Sequence, residues 1–118
     1  MASHSSAFSV VATQLKRCDL VKLGGRIDSS IAPKVDEALK AITDAGRYRI
    51  VLDMADVEFV SSAFLRVLIK YLKECKRWNR GDLRLTRLQP RIVDVLNLAG
   101  LTPLFKIYGD DALAVGSF

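Results

Sequence analysis

Two adjacent hydroxyls, Ser61 and Ser62 in "FVSSAFLRVL", stand between an apolar run of strand character and an apolar run of helical spacing. A serine there can do two kinds of work. Its oxygen can accept an orphan backbone N–H at a helix start, a cap worth about 1 kcal/mol. Its hydroxyl can also accept a phosphoryl group, which adds about −1.5 to −2 charges. On local chemistry alone, capping suffices to explain the pair. Other chemistry is short of parts. The single histidine, His4, lies near the N-terminus, so no Ser–His or Cys–His nucleophile can be assembled in the folded body. No Cys/His cluster has metal-ligand spacing, and neither GxxxxGK[ST] nor GxGxxG occurs. Asp28, Asp53 and Asp56 show no acid–base pairing in their spacing. We therefore expect no catalytic residue, no metal and no cofactor.

The elements that must position these serines read as follows. Residues 8–14 and 19–25 form two strands, a hairpin, with Gly24 and Gly25 ending the second. "APKVDEALKAITDAG" is a helix, with Pro33 in its first turn, Val35, Leu39 and Ile42 at helical spacing, and Gly46 as its stop. "YRIVLDM", residues 48–54, is a short strand of the kind buried on both faces of a parallel sheet. The next helix runs from Ser62 to about residue 77. Leu65, Leu68, Ile69, Leu72 and Cys75 form its inner stripe, and Arg66, Lys70, Lys73 and Arg77 the opposite one. Residues 83–88 and 104–109 read as strands, "QPRIVDVLNLAG" as a helix, and "DDALAV" as the start of a terminal one. Such alternation implies a single-domain α/β sandwich: a mostly parallel central sheet, an N-terminal hairpin and helices packed against it. Residues 1–7 are expected to be a loose tail and 8–118 the domain.

The chain has 118 residues, half of them hydrophobic. That is a globular composition with enough length for one core. No apolar run approaches the ~20 residues of a membrane span, and no secretory signal is read at the start. Cys18 and Cys75, lone thiols in apolar segments, fit small hydrophobes in a reducing cytoplasm. The net charge of +5 is uneven: residues 66–91 hold nine basic and two acidic residues, a local charge of +7. This segment is either a solvated helix face or an attractor for an anionic partner. Without interleaved aromatics it does not resemble a single-strand binder, so direct nucleic-acid and membrane partners are not expected.

Taken in order, "GGRIDSSIAPKVDEAL", "YRIVLDMADVEFVSSAFLRVL", "GDLRLTRLQPRIVDVLNLAGL" and "LFKIY" resemble the STAS domain family of bacterial anti-sigma factor antagonists. The resemblance covers residues 8 to 115 and implies the fold just derived. It further implies a non-enzymatic signalling protein in the cytoplasm. Such proteins bind an anti-sigma factor that is also a serine kinase; phosphorylation of a serine at the start of the second helix releases the complex, and a serine phosphatase resets it. Anchored on Leu65, the acceptor falls on Ser62, with Ser61 the next candidate. The family's aspartate position holds Ser61, its second hydroxyl position Ala63 and its glycine position Phe64. Phe64 has two readings, an anchor for a partner or a core residue. Asp28 in "GRIDSS" matches a partner-facing position, its plainer reading being a loop carboxylate ahead of a helix. With Ser61, Ser62, Phe64 and Arg66 it makes up the expected partner-binding set. Phe64, Val67 and Tyr71 are further read as a helix flank for self-association or for packing. The rival readings are a scaffold subunit that binds constitutively without phosphorylation and, from another class, a binder of nucleic acid or anionic surfaces.

Overall fold

A computed structural model describes residues 7–78 and 80–118; the expected tail, apart from Ala7, lies outside them. Strands β1 (Ser9–Gln14) and β2 (Asp19–Ile27) form the antiparallel hairpin. Helix α1 (Ala32–Asp44) leads to β3 (Arg49–Val60), α2 (Ser62–Lys76) to β4 (Asp82–Thr86), and α3 (Pro90–Leu98) to β5 (Ile107–Tyr108) through a 3-10 turn at Thr102–Leu104. Helix α4 (Asp111–Gly116) follows. The sheet order is β1-β2-β3-β4-β5, and every pair after the first is parallel. Right-handed crossovers between successive neighbours place the connecting helices on one face. There Val35, Leu39, Phe64, Leu68, Ile92 and Leu96 bury against Ile50, Leu52 and Met54 of β3. The opposite face holds a small second cluster, Cys18, Val51 and Ala114, under α4. Residues 50–54 are accordingly buried whichever way they point. No described helix is long and apolar enough to cross a membrane.

Three expectations need correction. Gly24 and Gly25 do not end β2. The pairing register shifts there, with Gly25 at φ 89°, because β3 carries one extra residue opposite Lys22–Gly24 and another opposite Gly25–Arg26, and β2 continues to Ile27; glycine supplies the left-handed backbone that lets β2 follow the bulged partner. Likewise β3 does not stop at residue 54 but runs to Val60, carried past Ala55 and Asp56 by its pairing with β2. Finally, the buried stripe of α2 is rotated from the one read in the sequence. It comprises Phe64, Val67, Leu68, Tyr71, Leu72 and Cys75, while Leu65 and Ile69 sit half-buried at its edge. The α2–β4 turn closes tightly. A side chain at Gly81 would stand 2.0 Å from the Cys75 carbonyl oxygen and 2.8 Å from that of Tyr48.

Candidate functional site

The parallel register of β2 and β3 pairs Ile27 with Val60. Neighbouring strands lie about 4.8 Å apart, so the residues that follow, Asp28 and Ser61, leave the sheet side by side. The Ser61 N–H donates to the Ile27 carbonyl at 3.0 Å, extending the ladder one step beyond the strands. From there each segment turns into a helix, and both turns are held by side-chain oxygens.

Ser61 is the N-cap of α2, with extended backbone at φ −99° and ψ 166°, and its Oγ accepts the Phe64 N–H at 3.3 Å. Ser62 is the first helical residue and is exposed. Because the Ser61 oxygen is occupied by the cap, Ser62 presents the hydroxyl without a structural task. The N–H groups of Ser62 and Ala63 have no intrahelical partner, as at any helix start, and the first turn contains no acidic residue. An anion on Ser62 would thus meet free donors, the positive helix end and Arg66 one turn on, Arg66 being exposed.

Phe64 does not join this surface. Its ring is fully buried, packed in the main core, and the expected partner contact is corrected to a core residue. At N3 of a helix whose apolar stripe faces the sheet, the side chain points inward. The same holds for Val67 and Tyr71, which are 7% and 2% exposed and offer no flank for self-association. An inward Phe64 leaves the Ser62 hydroxyl uncovered.

Asp28 is exposed, and its Oδ1 accepts three bonds: from the Ser30 N–H at 3.0 Å, the Ser30 hydroxyl at 2.7 Å and the Ile31 N–H at 3.1 Å. The Ser30 hydroxyl bond above all, with the two backbone donors and Arg26, holds its carboxyl below the usual carboxylate range. The group is therefore ionised at neutral pH, orders the turn into α1, and keeps Oδ2 for another partner. Its loop and contact readings are compatible. Bordering it, the Arg26 guanidinium lies 4.5 Å from the centroid of the Phe59 ring. That platform was missed in the sequence because its two halves are cross-strand neighbours only in the bulged register.

Four of the nine basic residues of the 66–91 segment are held in ion pairs. Lys70 pairs with Asp36, Arg77 with Glu74, Arg84 with Asp82 and Arg87 with Asp53. Both cysteines are free and buried, and burial pushes the Cys75 thiol up to about 12. Among the described residues, no group of three metal-ligating side chains comes together.

A one-directional stack of adjacent parallel strands, hairpin-led and covered by three crossover helices on one face, defines the α/β class to which this site belongs. Within that class the family model described as "STAS domain" matches residues 9–114; the chain belongs to the STAS domain family. The Bordetella bronchiseptica protein BtrV, named as an anti-sigma factor antagonist, is 30% identical over 96 residues, 81% of this chain and 82% of BtrV. An anti-sigma factor antagonist from Mycobacterium paratuberculosis matches in structure with a TM-score of 0.86 at 20% identity, over 99% of this chain and 97% of that one. The phosphorylated form of the Bacillus cell-fate determinant SpoIIAA matches with a TM-score of 0.71 at 16% identity, over 94% and 98%. The two structural likenesses bear on the fold alone.

Proposed function

We propose that the chain is a non-enzymatic anti-sigma factor antagonist whose docking on an anti-sigma factor is switched off by phosphorylation of Ser62. The observation that carries this reading is the division of labour at the start of α2: Ser61, the neighbour of Asp28, caps, Phe64 packs inward, and Ser62 stands exposed. BtrV, named as an antagonist of the same kind, supports it. The partner is a serine kinase that holds ATP. The Ser62 Oγ–phosphorus bond forms as the bond to ADP breaks, and the hydroxyl proton leaves to a base of the kinase. A serine phosphatase restores the hydroxyl.

The switch works on the complex and not on the fold. At the start of α2 a phosphate meets free N–H groups and the helix dipole, a gain of about 0.3–1 kcal/mol when exposed. In a docked interface the same group must be stripped of water against a surface shaped for a hydroxyl. Moving an equilibrium from 99:1 to 1:99 takes about 5.5 kcal/mol, and an unpaired buried charge costs about that much. Incubation with the partner kinase and ATP, followed by mass-spectrometric mapping, tests the acceptor. Phosphate on Ser62 is expected; phosphate on Ser61 or Ser29, or none, overturns the assignment.

A further inference from the structure

On the surface of the helix layer, the C-terminal half of α2 and the 3-10 turn enclose a groove of about 550 Å³. Ile69 and Leu72 come from α2, Pro103 and Leu104 from the turn, and Lys73, Lys76 and Arg77 complete the lining. Every polar side chain there is a cation. Lys73 and Lys76 are exposed and make no ion pair among the described residues. Glu74, the only carboxylate of α2, is held by Arg77 at 3.4 Å and accepts the Trp78 indole N–H at 3.5 Å. Arg80 follows, exposed and likewise unpaired among the described residues.

Large apolar side chains stand in water beside these cations. Leu104 is 47% exposed, and Trp78, the single tryptophan of the chain, is 48% exposed. The indole stacks on Tyr48, with centroids 5.1 Å apart and planes 19° from parallel. One face of the indole is therefore braced, and the rest stays accessible. The amino-acid order hides this surface, because Pro103 and Leu104 meet α2 only through the α3 crossover, and so no membrane partner is expected from it.

We infer that this surface docks on an anionic lipid membrane, lying among the headgroups without crossing the bilayer. Trp and Leu at the headgroup level, with Lys and Arg around them, make an interfacial attachment, and clustered cations are drawn to an anionic leaflet. Long lysine stems keep their ammonium groups with the phosphates while the apolar floor meets acyl chains. A folded protein partner would need donors and acceptors at fixed places, about one hydrogen bond per 100–200 Å². This lining offers only the mobile ends of lysine and arginine, which suit a fluid surface whose charges rearrange. Ser62 opens α2 and Lys76 ends it, about 20 Å away along the axis. A docked chain thus leaves its Ser62 end facing away from the membrane.

The test is co-sedimentation of the full chain with vesicles of phosphatidylglycerol and phosphatidylcholine in equal parts, at low salt. Binding is expected, with a blue shift of Trp78 fluorescence and quenching by lipids brominated close to the headgroup, and none to pure phosphatidylcholine. Lys73→Glu, Lys76→Glu and Leu104→Asp should each lower the partition coefficient about tenfold. All three side chains are exposed, so the variants should melt like wild type. Lys34→Glu, which removes the same charge from the exposed start of α1, should leave partitioning nearly unchanged. Four results overturn the inference. They are no binding at about 1 mM lipid, binding without blue shift or quenching, an equal loss with Lys34→Glu, or capture of polyglutamate where vesicles are not bound. The last would assign the surface to an acidic protein.

Discussion

Ser61 and Ser62 are neighbours with identical side chains, and the structure gives them opposite sensitivities. Ser61→Ala removes the oxygen that accepts the Phe64 N–H, leaving that donor to water at a half-buried helix start. A lost cap costs about 1 kcal/mol, and at this chain length 1 kcal/mol corresponds to about 3–6 °C in Tm. Ser62→Ala removes an exposed hydroxyl for which no hydrogen bond is present among the described residues, so its effect should stay within about 0.5 kcal/mol. Ser62→Asp adds a negative charge at a helix start that holds no acidic residue. The dipole and the free N–H groups then stabilise it by about 0.3–1 kcal/mol, raising Tm by about 1–6 °C. Thermal melts followed by circular dichroism read all three, and titration calorimetry against the anti-sigma factor reads docking. The aspartate variant should melt at or above wild type and yet lose docking. A cooperative loss of stability in Ser62→Asp, or a larger loss in Ser62→Ala than in Ser61→Ala, would refute the division of roles.

Other consequences follow from the same geometry. Phe64→Ala empties a fully buried site and should cost about 3–5 kcal/mol, whereas Phe64→Leu should fold and keep docking; loss of docking by a well-folded leucine variant would return the ring to the interface. Gly81→Ala would bring a methyl carbon 2.0 Å from the Cys75 carbonyl oxygen, so a denaturation curve should show a loss of about 3 kcal/mol or more. Although burial pushes the Asp36 carboxyl up, the hydrogen bonds from the buried Tyr71 hydroxyl and from Lys70 outweigh it, and the group stays below its ordinary value. A depressed carboxyl stabilises the fold above its unfolded pKa, and that contribution fades as pH falls through the folded value. Tyr71→Phe should therefore lose about 1.5–3 kcal/mol at pH 7 and show a smaller further drop in Tm below about pH 4 than wild type; an unchanged acid dependence would count against the Tyr71–Asp36 bond.

Much of the architecture could be read without coordinates because it rests on local periods. Val35, Leu39 and Ile42 announce α1, the run at 50–54 announces a strand buried on both faces, and Pro33 and Pro90 mark helix starts. The position of Ser62 at the head of a helix was legible for the same reason. So was the capping role of Ser61, since a helix that starts at Ser62 makes the preceding serine its N-cap. The inward turn of Phe64 was not legible: an apolar stripe that is wide in sequence, Phe64 to Cys75 with Leu65 and Ile69 beside it, allows more than one helix rotation. Packing against the sheet selects one.

From the amino-acid order alone came the succession of strands and helices and the serine pair at the head of the second major helix, since a period of two or of 3.6 is a property of neighbouring residues. The proximity of Asp28 to Ser61 came only from the folded chain, through bulges of β3 opposite Gly24 and Gly25 and six further residues of β3 that keep Ile27 opposite Val60. So did the meeting of Ile69 and Leu72 with Pro103 and Leu104 in one groove. Strand register and crossover geometry are set by contacts between segments distant in sequence, and no local pattern encodes them.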